Sequence, residues 1–149
     1  MHFYRSIGIC WLVLICFTGC NGQTKAGEDW LKVCPAEQFC FRYPPELKQS
    51  PQLIIDSIAG LYTSEDLQLS YDFGAYSSNF SELTSPDIQD ITVDGREGKV
   101  FISGKIMALH IPAVSSQLRF SMQLLFRDDI DPKLGRKIFE SVKFTPVQQ

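Results

Sequence analysis

The sequence predicts an α+β domain in which an antiparallel sheet of about five or six strands carries a C-terminal helix on one face. Two observations predict this fold. Between residues 39 and 126, apolar and polar side chains alternate along several short runs, as they do in half-buried strands. After residue 131 the apolar spacing changes to three or four residues, the period of a helix. Because a sheet hides an apolar face only under a second layer, helix and sheet are expected to pack together.

The first nineteen residues have the pattern of a secretory signal peptide. Arg5 lies near the start, and an apolar run over residues 7–17 is followed by small residues. This run is too short to cross a bilayer, which takes about 20 residues, but it suits the core of a signal peptide. We therefore expect export, with cleavage near residue 19.

The residues at that junction, Phe17-Thr18-Gly19-Cys20, resemble the lipobox of bacterial lipoproteins, although Leu is more usual than Phe at the first position. The resemblance implies that the Cys20 thiol receives a diacylglyceryl group, and several acyl chains hold a protein stably in a membrane. It also implies the outer membrane, facing the periplasm, because Asn21 stands where an Asp would retain a lipoprotein in the inner membrane. The alternative is an ordinary signal peptide, after which Cys20 would be free or disulfide-bonded.

The expected mature chain is a small acidic domain behind a tether. Residues 20–29 are Cys20 followed by small and polar residues, which predict a short flexible tether, and residues 30–149 predict a single globular domain. Loss of residues 1–19 leaves 13 Lys and Arg against 17 Asp and Glu, a net charge of −4. An acidic chain without a basic run lacks the surface that binds phosphates, so no nucleic-acid partner is expected.

Alternating apolar residues predict the first half of the sheet. Residues 39–43 form a short run that stops at Pro44, which has no N–H to donate to a neighbouring strand. Residues 53–64 are rich in β-branched and apolar side chains and predict a strand bent near Gly60. Residues 67–73 alternate strictly and therefore predict a half-buried strand.

The second half of the sheet is predicted by a hairpin and a long strand. Residues 91–103 hold two extended runs joined by Asp94-Gly95, a pair that suits the positive φ angles of a tight turn. Residues 117–126 place five apolar side chains on one face, namely Leu118, Phe120, Met122, Leu124 and Phe126. We expect the helix to cover this face.

The helix is predicted to begin after Asp131, a good N-cap, with Pro132 as its first residue. Its apolar stripe consists of Leu134, Ile138, Phe139 and Val142.

An acidic cluster before the helix, Asp128, Asp129 and Asp131, has the composition of a calcium loop but not its spacing. An EF-hand-like loop counted from Asp129 needs an oxygen ligand at its fifth position and Gly at its sixth, where this chain has Lys133 and Leu134. We therefore expect capping, and no metal site or cofactor is predicted.

Two cysteines remain for the folded domain, Cys34 and Cys40. Cys10 and Cys16 belong to the predicted signal peptide, and Cys20 is the expected lipid site. In an exported, oxidising compartment a remaining pair predicts a disulfide. The spacing does not match the Cys-x-x-Cys of a redox pair, and the further ligands of a closed zinc site are missing.

Four segments within residues 37–144 together resemble the PsbP/Mog1-like fold group. They are FCFRYPPELK, ITVDGREGKVFI, the long amphipathic strand and the final KLGRKIFESVKF. The resemblance implies an α-β-α sandwich around an antiparallel sheet, in a group whose bacterial members include small lipoproteins. Members of the group have unrelated roles, and a shared fold does not transfer function. No functional residue of the group matches a position in this chain.

The sequence favours a binding or accessory module of the cell envelope over an enzyme. The only histidine after residue 19 is His110, in an apolar segment where a structural histidine is more common than a catalyst. No nucleophile-elbow, zinc-protease or phosphate-loop motif is present. The alternative is an envelope hydrolase without a motif, built on His110 or on carboxylates that folding brings together.

Two connections predict surfaces for an envelope protein partner. Residues 74–87 contain Tyr76 and Phe80, and residues 106–116, interpreted as an apolar loop, contain His110. Exposed apolar patches often mark partner sites. The alternative is that both segments pack against the sheet or close its edge.

Overall fold

The computed structural model describes residues 29–51 and 57–146, which form two antiparallel sheets and an α-helix. The predicted signal peptide, Cys20 and most of the predicted tether lie outside the described residues. A short 3₁₀ turn spans Pro35–Glu37. The remaining elements are β1 Leu31–Val33, β2 Phe39–Tyr43, β3 Lys48–Ser50, β4 Ile58–Thr63, β5 Leu67–Gly74, β6 Asp87–Val93, β7 Arg96–Ser103, β8 Ile106–Ile111, β9 Arg119–Phe126, α1 Pro132–Glu140 and β10 Lys143–Phe144.

The larger sheet has seven strands in the order β3-β4-β5-β9-β8-β7-β6, and the smaller has three in the order β1-β2-β10. The α+β class is thus confirmed, whereas the predicted five or six strands are too few. Three of the additional strands, β1, β3 and β10, have only two or three residues, too few to show an alternating pattern. The fourth, β8, is nearly all apolar because both of its faces are covered, so its sequence lacks alternation.

The core lies between the larger sheet and a layer made of the smaller sheet and the helix. Phe39 of β2 packs edge-on against Tyr71 of β5 and Phe120 of β9, with ring centroids 5.4 and 5.0 Å apart. Phe41, two residues further along the same face, packs against Tyr62 of β4. The alternation predicted for residues 39–43 therefore serves to place aromatic rings in the core.

Helix α1 has the predicted N-terminus and buries the predicted stripe. The Asp131 side chain accepts hydrogen bonds from the backbone N–H groups of Lys133 and Leu134. Ile138 and Phe139 are fully buried in the core that also contains the apolar face of β9. Gly135 lets the helix approach closely, because a Cβ at this position would overlap the Met107 side chain.

Within the described ranges α1 is the only α-helix, and it lies on one face of the larger sheet. A second helical layer, which an α-β-α sandwich requires, is therefore not found among these residues. None of the described helices is long and apolar enough to cross a bilayer.

The predicted Cys34–Cys40 disulfide is present, with an S–S distance of 2.09 Å. Cys34 directly follows Val33 and Cys40 directly precedes Phe41, and Val33 and Phe41 are the last pair of the β1–β2 hairpin. Between them, Ala36 and Glu37 have positive φ angles of 46° and 56°. The disulfide therefore closes a tight turn at the end of the smaller sheet.

Candidate functional site

A line of polar side chains crosses the outer face of the larger sheet, the face opposite the helix. Its members occupy adjacent positions on β6, β7, β8, β9 and β5, and we call them the polar row: Asp90, Lys99, His110, Ser121 and Asp72. Antiparallel pairing sets this order, because Lys99 pairs with both Asp90 and His110, and Ser121 pairs with both His110 and Asp72. Side chains at directly paired positions lie about 5 Å apart and interact.

The connection between β5 and β6, residues 75–86, crosses this outer face and is here called the strap. The Ser77 hydroxyl ties its beginning to β5, since it accepts from the Gly74 N–H at 3.0 Å and donates to the Asp72 carbonyl at 2.9 Å. Near its end, the Ser103 hydroxyl donates to the Thr84 carbonyl at 3.0 Å. The strap is therefore held to the sheet at both ends.

The three residues predicted to bind a partner have different environments. Tyr76, at the start of the strap, is 94% exposed. Phe80 is only 4% exposed, because it packs on the outer face against Phe101 and Ala108 in a small second apolar cluster. Of the two aromatic residues, Tyr76 is the one whose ring is available to a partner.

His110 lies in a strand, so the interpretation of residues 106–116 as a loop is wrong for its first half. Strand β8 occupies Ile106–Ile111 near the middle of the sheet, where one face packs on the core and the other lies under the strap. The apolar composition that suggested an exposed patch is thus explained by burial on both sides.

The His110 ring is 8% exposed, and its Nδ1 atom has no hydrogen-bond partner among the described residues. Burial lowers its pKa, the nearby Arg119 cation lowers it further, and a hydrogen bond with the Ser78 backbone opposes both effects. The net direction is downward, so the imidazole is neutral at pH 7. A neutral imidazole with one nitrogen unpaired offers a buried hydrogen-bond acceptor.

Asp72, which lies on the far side of Ser121 from His110, provides a second buried acceptor. Its Oδ1 atom is shielded from solvent and has no partner within the described residues. Together with His110 Nδ1, it is one of two such side-chain atoms in the described part of the chain. Buried polar atoms are normally hydrogen-bonded, and exceptions often mark functional positions.

Two cavities contain parts of the polar row. The larger, about 630 Å³, is lined by His110, Lys99, Asp90 and neighbouring residues of β6 and β7. The smaller, about 250 Å³, includes Asp72, Ser121 and the Ser78 and Glu82 residues of the strap. His110 and Ser121 are adjacent on β8 and β9, so the two cavities lie next to one another.

A Ser, a His and an Asp occur together in this row, but in an order that does not fit a catalytic triad. Such a triad places the histidine between the nucleophile and the carboxylate, with a hydrogen bond on each side. Here Ser121 lies between His110 and Asp72, and His110 Nδ1 is bonded to neither. The arrangement is therefore better suited to accepting hydrogen bonds from a ligand than to activating a nucleophile.

Among residues 29–51 and 57–146, no group of three or more His, Cys, Asp or Glu side chains is placed to hold a metal ion. In the predicted acidic cluster, Asp131 caps the helix.

Asp72 and Ser121 were missed by sequence reasoning. In the sequence they are polar residues at regular alternating positions of two strands. The pairing of β5 with β9 brings them together, although Asp72 and Ser121 are far apart in the sequence. Local alternation shows which face a residue occupies, but not which strands become neighbours.

Comparison with known proteins gave no match: no protein family, no curated protein and no solved structure is detectably similar to this chain. The resemblance to the PsbP/Mog1-like fold group therefore stays a prediction.

Proposed function

We propose that the protein is a lipid-anchored binding module of the bacterial envelope, and that the polar row is its ligand-binding site. The observation that carries the proposal is the pair of buried acceptors, His110 Nδ1 and Asp72 Oδ1, which have no partner in the described protein. A buried polar atom left unpaired costs about 1–3 kcal/mol. A ligand that donates hydrogen bonds to both atoms would recover this free energy.

The chemistry of the row favours a partner that presents N–H or O–H donors. Both unpaired atoms are acceptors, and Asp72 and Glu82 make the smaller cavity acidic. Lys99 is already paired with Asp90 at 3.3 Å, so it does not give the row a free cation. An uncharged or cationic polar segment of an envelope protein fits these groups. Tyr76, which directly precedes the Ser77 bonded to the Asp72 carbonyl, adds an exposed aromatic contact.

The partner site can be tested with a photo-crosslinking amino acid at position 76 of the full-length protein in cells. We expect a discrete adduct at position 76. Asp72→Asn should weaken it, because one of the two carboxylate oxygens becomes an NH2 donor and the negative charge is lost. Glu46, exposed near the start of β3, is the control position, and Asp87→Asn is the matched control substitution. Equal adducts at positions 76 and 46, or an adduct unaffected by Asp72→Asn, would reject the site.

The anchor rests on the Thr18-Gly19-Cys20 junction and has its own test. Labelled fatty acid is expected to enter the wild-type protein and not the Cys20→Ser variant. Fractionation should then find the labelled protein with the outer membrane. Equal labelling of the two proteins would end the lipoprotein proposal, leaving the ordinary signal peptide.

A motif-less hydrolase is the second candidate, favoured by the adjacency of His110 and Ser121 on neighbouring strands. It requires the two side chains to form a hydrogen bond when substrate binds, which the observed geometry lacks. Turnover of an ester or amide that disappears in both Ser121→Ala and His110→Ala, in variants that still fold, would favour this candidate. Turnover unaffected by either substitution would reject it.

A further inference from the structure

A groove whose lining includes four cationic side chains lies on the smaller sheet and helix, away from the polar row. Its cavity measures about 600 Å³. We call it the basic groove and define it by Trp30, Lys32, Arg42, Lys137, Glu140 and Lys143. These residues come from the start of the described chain, from β1, β2 and β10, and from the last turn of α1.

We propose that the basic groove binds the anionic phospholipid headgroups of the membrane in which the protein is anchored. The inference rests on the proposed lipid anchor at Cys20 and adds a second contact with the same membrane. Three observations support it: the charge of the groove, its aromatic residue, and its distance along the chain from the anchor.

The charge of the groove is opposite to that of the protein. The whole chain has a net charge of −3, yet four cationic residues line this cavity beside one carboxylate, Glu140. One of the four, Lys143, is paired with Asp94 at 3.4 Å, so the excess positive charge of the groove comes from the other cations. Lys32 and Arg42 are directly paired across β1 and β2, an arrangement of like charges that destabilises a sheet. Neither has a salt bridge among the described residues. An anionic ligand between the two side chains would relieve this repulsion.

The aromatic residue has the character of a membrane-interface side chain. Trp30 is partly exposed, and Lys137 Nζ lies 4.6 Å from the centre of its ring. Tryptophan is enriched at the headgroup level of membranes, where one part of the ring is apolar and the N–H can find a polar partner. Next to lysines and an arginine, it fits a phospholipid headgroup better than a free anion.

The position of Trp30 keeps the basic groove near the membrane. It is ten positions after Cys20, and ten residues span at most about 35 Å even when fully extended. A protein held by a lipid on Cys20 therefore presents this end of the domain at short range to the headgroups. Each Lys or Arg near an anionic membrane surface strengthens binding by about fivefold.

The test uses the expected mature chain, residues 20–149, carrying Cys20→Ser, and measures its binding to vesicles. Neither an acyl chain nor the apolar run of residues 7–17 then contributes to the binding. We expect binding to vesicles containing phosphatidylglycerol, weakening as salt rises, and much weaker binding to vesicles of phosphatidylcholine alone. The double substitution Lys32→Gln and Arg42→Gln should weaken the first interaction by about 25-fold. Arg42→Lys should retain most of it.

The matched control is Lys48→Gln with Arg127→Gln, which removes the same charge outside the groove and should leave binding within about twofold. Equal binding to both vesicle types, or equal losses in the two double variants, would overturn the proposal. If inorganic phosphate, at a concentration equal to that of the lipid phosphate, displaced the protein from the vesicles, the groove would be assigned to a free anion. That result would likewise overturn the proposal. Absence of vesicle binding rejects the groove without affecting the Cys20 labelling result, so the two proposals fail separately.

Discussion

The Asp94 carboxylate accepts a hydrogen bond from the backbone N–H of Phe144 at 2.9 Å, which joins the β6–β7 turn to the last strand. The same carboxylate lies 3.4 Å from Lys143 and 3.3 Å from Arg96, and the Arg96 guanidinium lies over the Phe144 ring. Asp94 therefore connects the two sheets. Its backbone has the positive φ angle, 51°, that the tight turn requires. Asp94 therefore shapes the β6–β7 hairpin through its backbone and holds β10 through its side chain.

Replacing Asp94 with Ala should lower the free energy of unfolding by about 1–2 kcal/mol, since it leaves the Phe144 N–H without its acceptor. Urea denaturation at pH 7 measures the difference. Asp90→Ala is the matched control, because the exposed Asp90–Lys99 pair is expected to contribute no more than about 0.5 kcal/mol. Equal losses in the two variants would show that the Asp94 hydrogen bond does not stabilise the fold.

Asp94 should also contribute to acid sensitivity. The Phe144 N–H first, and then Lys143 and Arg96, hold the pKa of the Asp94 carboxyl below its usual value of 3.8. A carboxyl with a lowered pKa stabilises the folded state above the unfolded pKa, and this contribution is lost as pH falls through the folded pKa. The stability difference between the wild type and Asp94→Asn should therefore shrink as urea denaturation is repeated from about pH 5 to pH 2. A constant difference would contradict this expectation.

Phe139→Ala should cost about 3–5 kcal/mol, because it removes a fully buried ring from the contact between the helix and the core. Such a loss is a large part of the 5–15 kcal/mol that holds a typical domain together. Urea denaturation gives the value. The control is Lys133→Ala, an exposed position of the same helix, which should change stability by no more than about 0.5 kcal/mol. Lys137 is less suitable, since it contacts Trp30. If the two substitutions were equally harmless, the helix would not be part of the core.

Removing the disulfide with Cys34→Ala and Cys40→Ala together should lower stability by about 2 kcal/mol, the loop-closure value for so short a loop. Double substitution avoids leaving a free thiol. Mass spectrometry of the protein, prepared without reductant, should first find the two cysteine peptides linked. Two freely alkylatable thiols would contradict the disulfide, and an unchanged denaturation midpoint would show that it does not stabilise the native fold.

The elements that the sequence predicted well are those with their own local signal. Strand β5 and helix α1 each bury one face, so alternation or helical spacing identifies them directly. The Asp94-Gly95 turn has the expected positive φ angles, 51° and 75°. The cysteine pair followed from elimination of the other three cysteines. In each case a few neighbouring residues carried the necessary information.

The remaining features depend on contacts between distant parts of the chain. Strand β9 lies between β5 and β8, so the sheet is not built in chain order, and no local pattern predicts this. The polar row exists only because of that order, since Asp72, Ser121 and His110 come from those three strands. Phe80 is likewise buried only because the strap crosses the outer face. Neither the length nor the composition of the strap specifies that path.

His110 should make the protein less stable as pH falls below neutral. Burial lowers its pKa from the ordinary value of 6.5, so the unfolded chain binds a proton in a pH range where the folded protein does not. The contribution of the neutral His110 ring to stability is therefore fully present above about pH 7 and decreases below pH 6.5, by at most about 1.4 kcal/mol per pH unit.

His110 is the only histidine of the described residues, and most carboxylates titrate at lower pH. Urea denaturation of the wild type between about pH 7.5 and pH 5.5 should show this decrease, and His110→Asn should reduce its slope whatever the overall stability of the variant. Equal slopes in the two proteins would mean that the ring is protonated as readily in the folded state as in the unfolded chain, which would remove the neutral buried acceptor on which the proposed binding site depends.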